Sequence, residues 1–140
     1  MRAIGLMSGT SMDGIDVALL DTDGEAALRF GPSDGFPYAE ADRALLRAAL
    51  AAATVLTDRA ARPQPLAEAE RRLTALHAEA VENFLDRHAI DRAGVDLVGF
   101  HGQTVLHRPE ARLTVQIGDA GALADRLGLP VVADLRAADV

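Results

Sequence analysis

Ala3-Ile4-Gly5-Leu6-Met7-Ser8-Gly9-Thr10-Ser11-Met12-Asp13-Gly14-Ile15-Asp16-Val17-Ala18-Leu19-Leu20 sets two apolar runs on either side of a polar segment that begins and ends near glycine. The pattern predicts strand, polar turn, strand, over residues 3–7 and 15–20. A second turn signal, Thr22-Asp23-Gly24, precedes a third strand over residues 26–30 of an antiparallel meander, which Gly31-Pro32-Ser33-Asp34-Gly35 is expected to end.

Beyond the meander the periodicity changes. Residues 39–53 are rich in Ala, Leu, Arg and Glu, with Leu45, Leu46, Ala49 and Leu50 on one helical face. Pro63 and Pro65 mark a break, and a longer helix follows in which Leu66, Ala69, Leu73, Leu76, Ala80 and Phe84 form an apolar stripe. His77 and His88 are expected at its surface or end. Residues 95–100 read as a buried strand running into a polar loop, His101-Gly102-Gln103-Thr104-Val105-Leu106-His107. Another strand, Leu113–Ile117, leads to Asp119 as the cap of a helix that stops at Leu127-Gly128, and residues 130–133 form a last strand. A meander followed by helices and then strand–helix–strand is an α/β order, one mixed sheet flanked by helices in a single domain over residues 1–140.

Bulk properties narrow the function classes. The 140 residues are 49% hydrophobic and 25% charged, the balance of a globular domain with a core. A formal charge of −7 argues against general binding to nucleic acid, which needs clustered Lys and Arg, but leaves room for a nucleotide held by backbone amides and a metal ion. No cysteine is present, so disulfides, thiolate nucleophiles and Cys-ligated zinc are excluded from these residues. The apolar runs are too short for a signal core or a membrane span, so a cytoplasmic protein with no membrane partner is expected.

Three segments offer chemistry. In Ser8 to Asp16, two glycines allow tight backbone geometry and three hydroxyls with backbone N–H groups suit an anion. Asp13 or Asp16 could hold a metal ion directly or through water, because Mg²⁺ prefers hard oxygen donors and keeps much of its hydration. On composition alone, an ordinary hairpin turn with solvated hydroxyls is the simpler account of the same residues. His101 to His107 offers an imidazole, an amide and a hydroxyl, suited to a sugar or to backbone satisfaction; the spacing of its two histidines matches no zinc pattern. Gln116-Ile117-Gly118-Asp119 and Asp134-Leu135-Arg136-Ala137-Ala138-Asp139 add carboxylates, an amide and a guanidinium after two strands, with Asp119 also suited to capping.

Residues 4–16, 99–105, 116–119 and 134–136, in this order, resemble anhydro-N-acetylmuramic acid kinases. Leu135 stands where that family's Asp-Phe-Arg segment has phenylalanine. The resemblance implies the first lobe of the actin, sugar-kinase and heat-shock-ATPase fold, with a ribonuclease-H-like sheet. It also implies a cytoplasmic enzyme of peptidoglycan recycling that uses ATP and Mg²⁺, opens the 1,6-anhydro ring with water and phosphorylates O6, giving N-acetylmuramic acid 6-phosphate. A homodimer is compatible with it. By the same resemblance Gly9, Thr10, Ser11, Met12, Asp13, Gly14, Ile15 and Asp16 bind nucleotide, and His101, Gln103, Thr104, Gln116, Asp119, Arg136 and Asp139 face the sugar. The family's catalytic aspartate lies in an Asp-Thr-Gly-Pro-Gly-Asn stretch that residues 1–140 do not contain. That base is therefore expected beyond Val140, and these residues alone are expected to be a fragment without turnover. Two rival classes remain. One is a sugar-binding module without chemistry; the other is a metal-dependent nuclease assembling Asp13, Asp16, Asp119 and Asp134 around two divalent ions.

Overall fold

The computed structural model describes residues 1–137. Strand β1 (Arg2–Met7) pairs antiparallel with β2 (Gly14–Thr22), which pairs antiparallel with β3 (Leu28–Pro37). On its other side β1 pairs parallel with β4 (Leu97–Phe100), and β4 pairs parallel with β7 (Val131–Val132). The result is one mixed five-stranded sheet in the order β3-β2-β1-β4-β7. Helices α1 (Glu40–Ala53), α2 (Leu66–Arg87) and α3 (Ala120–Leu127) flank it. Alternation explains the sheet's inner face: Ile15, Val17 and Leu19 of β2 are buried while Asp16 between them is exposed. Ile4 and Leu6 of β1 join them in the core. A bidentate pair from Arg72 to Asp42, at 2.7 and 3.1 Å, ties α2 to α1. Asp119 caps α3 by accepting from the Ala122 N–H at 2.9 Å, and Gly128 ends it at φ 65°, both as expected from the sequence.

Two expectations fail for local physical reasons. The third strand does not stop at Gly31 but continues to Pro37. Between the pairs Ala18–Ser33 and Leu20–Phe30, β2 advances through Leu19 alone while β3 advances through Gly31 and Pro32. That bulge on an edge strand needs no N–H from Pro32, so the proline is absorbed instead of ending the ladder. The expected loop from His101 to His107 is a loop only at His101 and Gly102. Gln103–Arg108 form β5, which pairs antiparallel with β6 (Leu113–Ile117) in a separate two-stranded sheet. Polar residues fit this ribbon because Gln116 Nε2 donates across it to Thr104 Oγ1 and along β6 to Thr114 Oγ1.

A third correction concerns His77, which is fully buried and not at the helix surface. It lies four residues after Leu73 and four before Val81, in the middle of the apolar stripe. Its Nδ1 meets the Leu73 carbonyl oxygen at 2.8 Å, so Nδ1 carries the proton, and the ring stands edge-on to Phe100 with centroids 5.0 Å apart. Nε2 is buried with no hydrogen-bond partner among the described residues. Burial pushes the imidazole down to about 4, so it folds neutral. In the unfolded chain the ring protonates near 6.5; between these values unfolding takes up a proton, and stability is lost as pH falls from about 6.5 toward 4. A His77→Phe variant should therefore lose less stability than the parent between pH 7 and pH 4.5, by roughly 1–3 kcal/mol in urea unfolding curves. Parallel pH dependences would contradict the buried neutral assignment.

Candidate functional site

Because β1, β4 and β7 run parallel, the segments that leave their carboxyl ends share one edge of the sheet. Those segments are Ser8–Asp13, His101–Gly102 and Ala133–Asp134, and the carboxyl edge of such a sheet is where ligands bind in open α/β folds. A cavity of about 400 Å³ opens there, lined by Arg59, Arg62, His101, Gln116, Gly118 and Asp134 among others.

The Ser8–Asp13 loop is held from three directions. Ser8 is buried, and its Oγ donates to Gln103 Oε1 at 2.5 Å while the Tyr38 hydroxyl lies 2.7 Å away. Since the Ser8 proton is committed to Gln103, Tyr38 is the donor in that second bond. The Gly9 carbonyl accepts from Gln103 Nε2 at 3.2 Å and from the Met12 N–H at 3.1 Å, which closes a turn over Thr10 and Ser11. At the far end the Asp13 carbonyl accepts from the Tyr38 N–H at 3.0 Å. Met12 takes φ 52° and buries its side chain beneath the turn. Gly14 is required by close approach: a Cβ there would stand 2.6 Å from the Phe36 carbonyl oxygen of β3. Burial raises the Tyr38 phenol to about 12, so it remains a neutral donor. Asp13 is exposed, and hydrogen bonds from the Ser11 hydroxyl (2.7 Å) and from backbone N–H groups hold its carboxyl below the usual range.

On the sugar-facing side expected from the sequence, His101 and Gln116 line the cavity. The Gln116 Nε2 is spent on Thr104 Oγ1 and Thr114 Oγ1, and its Oε1 is buried without a protein partner among the described residues. Gln103 is turned into the protein with both ends of its amide used, so it touches the loop and not the cavity. Thr104 lies on the ribbon, Asp119 caps α3, and Arg136 is half-buried beyond the residues that line the cavity. Asp139 lies outside the described residues, as does Val140, beyond which the family's base is expected.

Sequence reasoning missed Arg62 and Glu70. Arg62 Nε meets Glu70 Oε2 at 2.7 Å and its NH2 donates to the Gln116 carbonyl at 3.2 Å, while Glu70 Oε2 also accepts from the Gly118 N–H at 3.0 Å. The pair fixes the end of β6 beside the cavity. Glu70 falls four residues after Leu66 and three before Leu73, so its place beside the apolar stripe was the available signal.

A family model described as anhydro-N-acetylmuramic acid kinase matches residues 1–140. The chain belongs to the anhydro-N-acetylmuramic acid kinase family. It is 61% identical over 140 residues to the protein of that name from Rhodopseudomonas palustris (strain BisB18), covering all of this chain and 38% of that relative. A kinase of the same name from Bradyrhizobium diazoefficiens is 59% identical over the same length, with the same coverage. One from Agrobacterium fabrum (strain C58) is 56% identical over 138 residues, covering 99% of this chain and 37% of its own length. The chain thus spans less than two fifths of these relatives, all of them named as kinases.

The nuclease constellation is not assembled. Among the described residues of this family member, no three His, Asp or Glu side chains converge to hold a metal ion. Asp13 and Asp16 share a shallow cleft against Gly35 and Phe36, Asp119 is a helix cap, and Asp134 pairs with Arg59. No helix of the described residues is long and apolar enough to cross a membrane.

Ser8→Ala should destabilise the fold by about 1–3 kcal/mol, because it leaves the Tyr38 hydroxyl and Gln103 Oε1 buried without their shared partner. Ser11→Ala, at an exposed hydroxyl, should cost less than about 0.5 kcal/mol. Chemical denaturation of the two variants checks this contrast; equal losses would contradict the loop's anchoring.

Proposed function

We propose that residues 1–140 form the nucleotide-phosphate lobe of a two-lobed, ATP-dependent sugar kinase acting on anhydro-N-acetylmuramic acid. The observation that carries this reading is the anchored Ser8–Asp13 turn, with exposed Thr10 and Ser11 at the carboxyl end of a central strand, in a chain that matches the kinase family along its whole length. The antiparallel meander followed by parallel β4 and β7 supports a ribonuclease-H-like lobe of the actin and sugar-kinase type. The sugar in the relatives' name is in line with a role in peptidoglycan recycling, which we place in the cytoplasm.

In the reaction, water adds to the anomeric carbon, the bond from that carbon to O6 breaks, and O6 takes the γ-phosphoryl group of ATP. The products are N-acetylmuramic acid 6-phosphate and ADP, and a general base receives the proton of the attacking water. Backbone N–H groups of the turn hold phosphate oxygens without requiring a basic surface, which suits a chain of charge −7. Mg²⁺ bound to the nucleotide would offset phosphate charge. Asp13, ionised and exposed, and Asp16 beside it fit an ion that keeps most of its own water, and not a resident metal needing a protein cage. The cavity beside His101 and Gln116 takes the sugar. The base comes from beyond Val140, consistent with the absence of the family's aspartate-bearing stretch from residues 1–140.

In the complete two-lobed protein, Asp13→Asn should raise the KM for Mg-ATP roughly tenfold while ADP and sugar phosphate still appear one for one. The isolated 140-residue chain should give no sugar phosphate with Mg-ATP. Product from that isolated chain, or a KM for Mg-ATP indifferent to Asp13, would contradict the assignment.

A further inference from the structure

The Gly9–Thr10 peptide is trans, so the carbonyl of Gly9 and the N–H of Thr10 point in opposite directions. Whatever fixes the carbonyl therefore fixes where the amide points. The carbonyl is drawn inward by two donors, the Met12 N–H within the turn and Gln103 Nε2 from β5. The second is the stronger constraint on direction, because Gln103 is itself clamped. It is 1% exposed, and its Oε1 is occupied by Ser8, which is in turn held by Tyr38. Four groups form one buried relay: Tyr38 O–H to Ser8 Oγ, Ser8 O–H to Gln103 Oε1, and Gln103 N–H to the Gly9 carbonyl. Clamping Oε1 leaves Nε2 only the Gly9 side, and a buried donor with no alternative partner keeps its bond. At the outer face, Thr10 and Ser11 are exposed and their N–H groups have no protein partner among the described residues.

We infer that Gln103 is a positioning residue for nucleotide binding: together with Ser8 it holds the Gly9 carbonyl inward and so sets the Thr10 amide outward, beside the unpartnered Ser11 amide, ready for phosphate. This rests on the reading of the turn as the phosphate loop. It reassigns Gln103, grouped by resemblance with sugar-facing residues, to the nucleotide side. It also places the two functions on adjacent stretches of one chain, since His101 lines the cavity and Gln103, two residues on, braces the loop.

The test uses steady-state kinetics of the complete protein with ATP and sugar varied separately, alongside thermal unfolding. Gln103→Met keeps the side chain's length and removes both hydrogen bonds. It should raise the KM for ATP about tenfold and leave the KM for sugar within about twofold. Tyr38→Phe removes only the far end of the relay and should raise the KM for ATP by about threefold, in the same direction. Gln103→Glu should resemble Gln103→Met, because its carboxylate still accepts from Ser8 but repels the Gly9 carbonyl. Unchanged KM for ATP in the folded variants would overturn the inference. So would equal changes in both KM values, which would mark Gln103 as a general support of the fold. If Gln103 variants do not fold, Tyr38→Phe decides by the same criterion. A parent protein whose rate does not saturate with ATP would instead refute the phosphate-loop reading beneath it.

Discussion

Ser8 carries one hydroxyl proton, and the loop's geometry depends on where that proton goes. It goes to Gln103, which obliges Tyr38 to donate and leaves Gln103 Nε2 facing the Gly9 carbonyl. Three elements meet in this buried relay: the end of β1, the segment between β3 and α1, and the start of β5. An unsatisfied group in such a place costs more than a bond at the surface gains, so the relay acts as a constraint on direction as much as a source of stability. The turn above it consequently needs no ligand to take its shape, and a preorganised donor set spends less of its binding energy on ordering.

The sheet's parallel half has a matching consequence. β1, β4 and β7 end on the same edge, which sets the loop near residue 10 on the same edge as a cavity lined by the His101 imidazole and the ion pair of Arg59 with Asp134. Charge is arranged locally. The net balance is acidic, yet Arg62 is neutralised by Glu70, and the residues exposed at the loop are Thr10, Ser11 and Asp13, two neutral and one a carboxylate. On the proposed reading, such a loop would bind phosphate through the direction of its amides and not by bulk attraction, which distinguishes it from a nucleic-acid surface.

The meander, the long helix, the Asp119 cap and the Gly128 stop were legible because each rests on a local signal: period, turn residues, or a left-handed position. β3 was not legible past Gly31, since a proline absorbed by a bulge looks locally like a proline that ends a strand. His77, expected at the helix surface or end, is in the core, where its spacing of four from Leu73 puts it on the apolar stripe. In the site, the loop was visible as a turn, but its anchors were not. Tyr38 and Gln103 lie 30 and 95 residues from Ser8, and only tertiary structure joins them. Arg62 and Glu70 escaped for the same reason, as a pair whose use lies on a third element, the end of β6.

The most direct test of a preformed phosphate loop is amide-resolved NMR of the isotope-labelled protein titrated with Mg-ADP and, separately, Mg-ATP. The Thr10 and Ser11 N–H signals should exchange rapidly with water in the free protein. On nucleotide addition they should shift downfield and slow, while the Met12 amide, already bonded to Gly9, changes little. Nucleotide binding that leaves Thr10 and Ser11 unaltered, or that perturbs the Arg59 to Arg62 segment instead, would contradict the account.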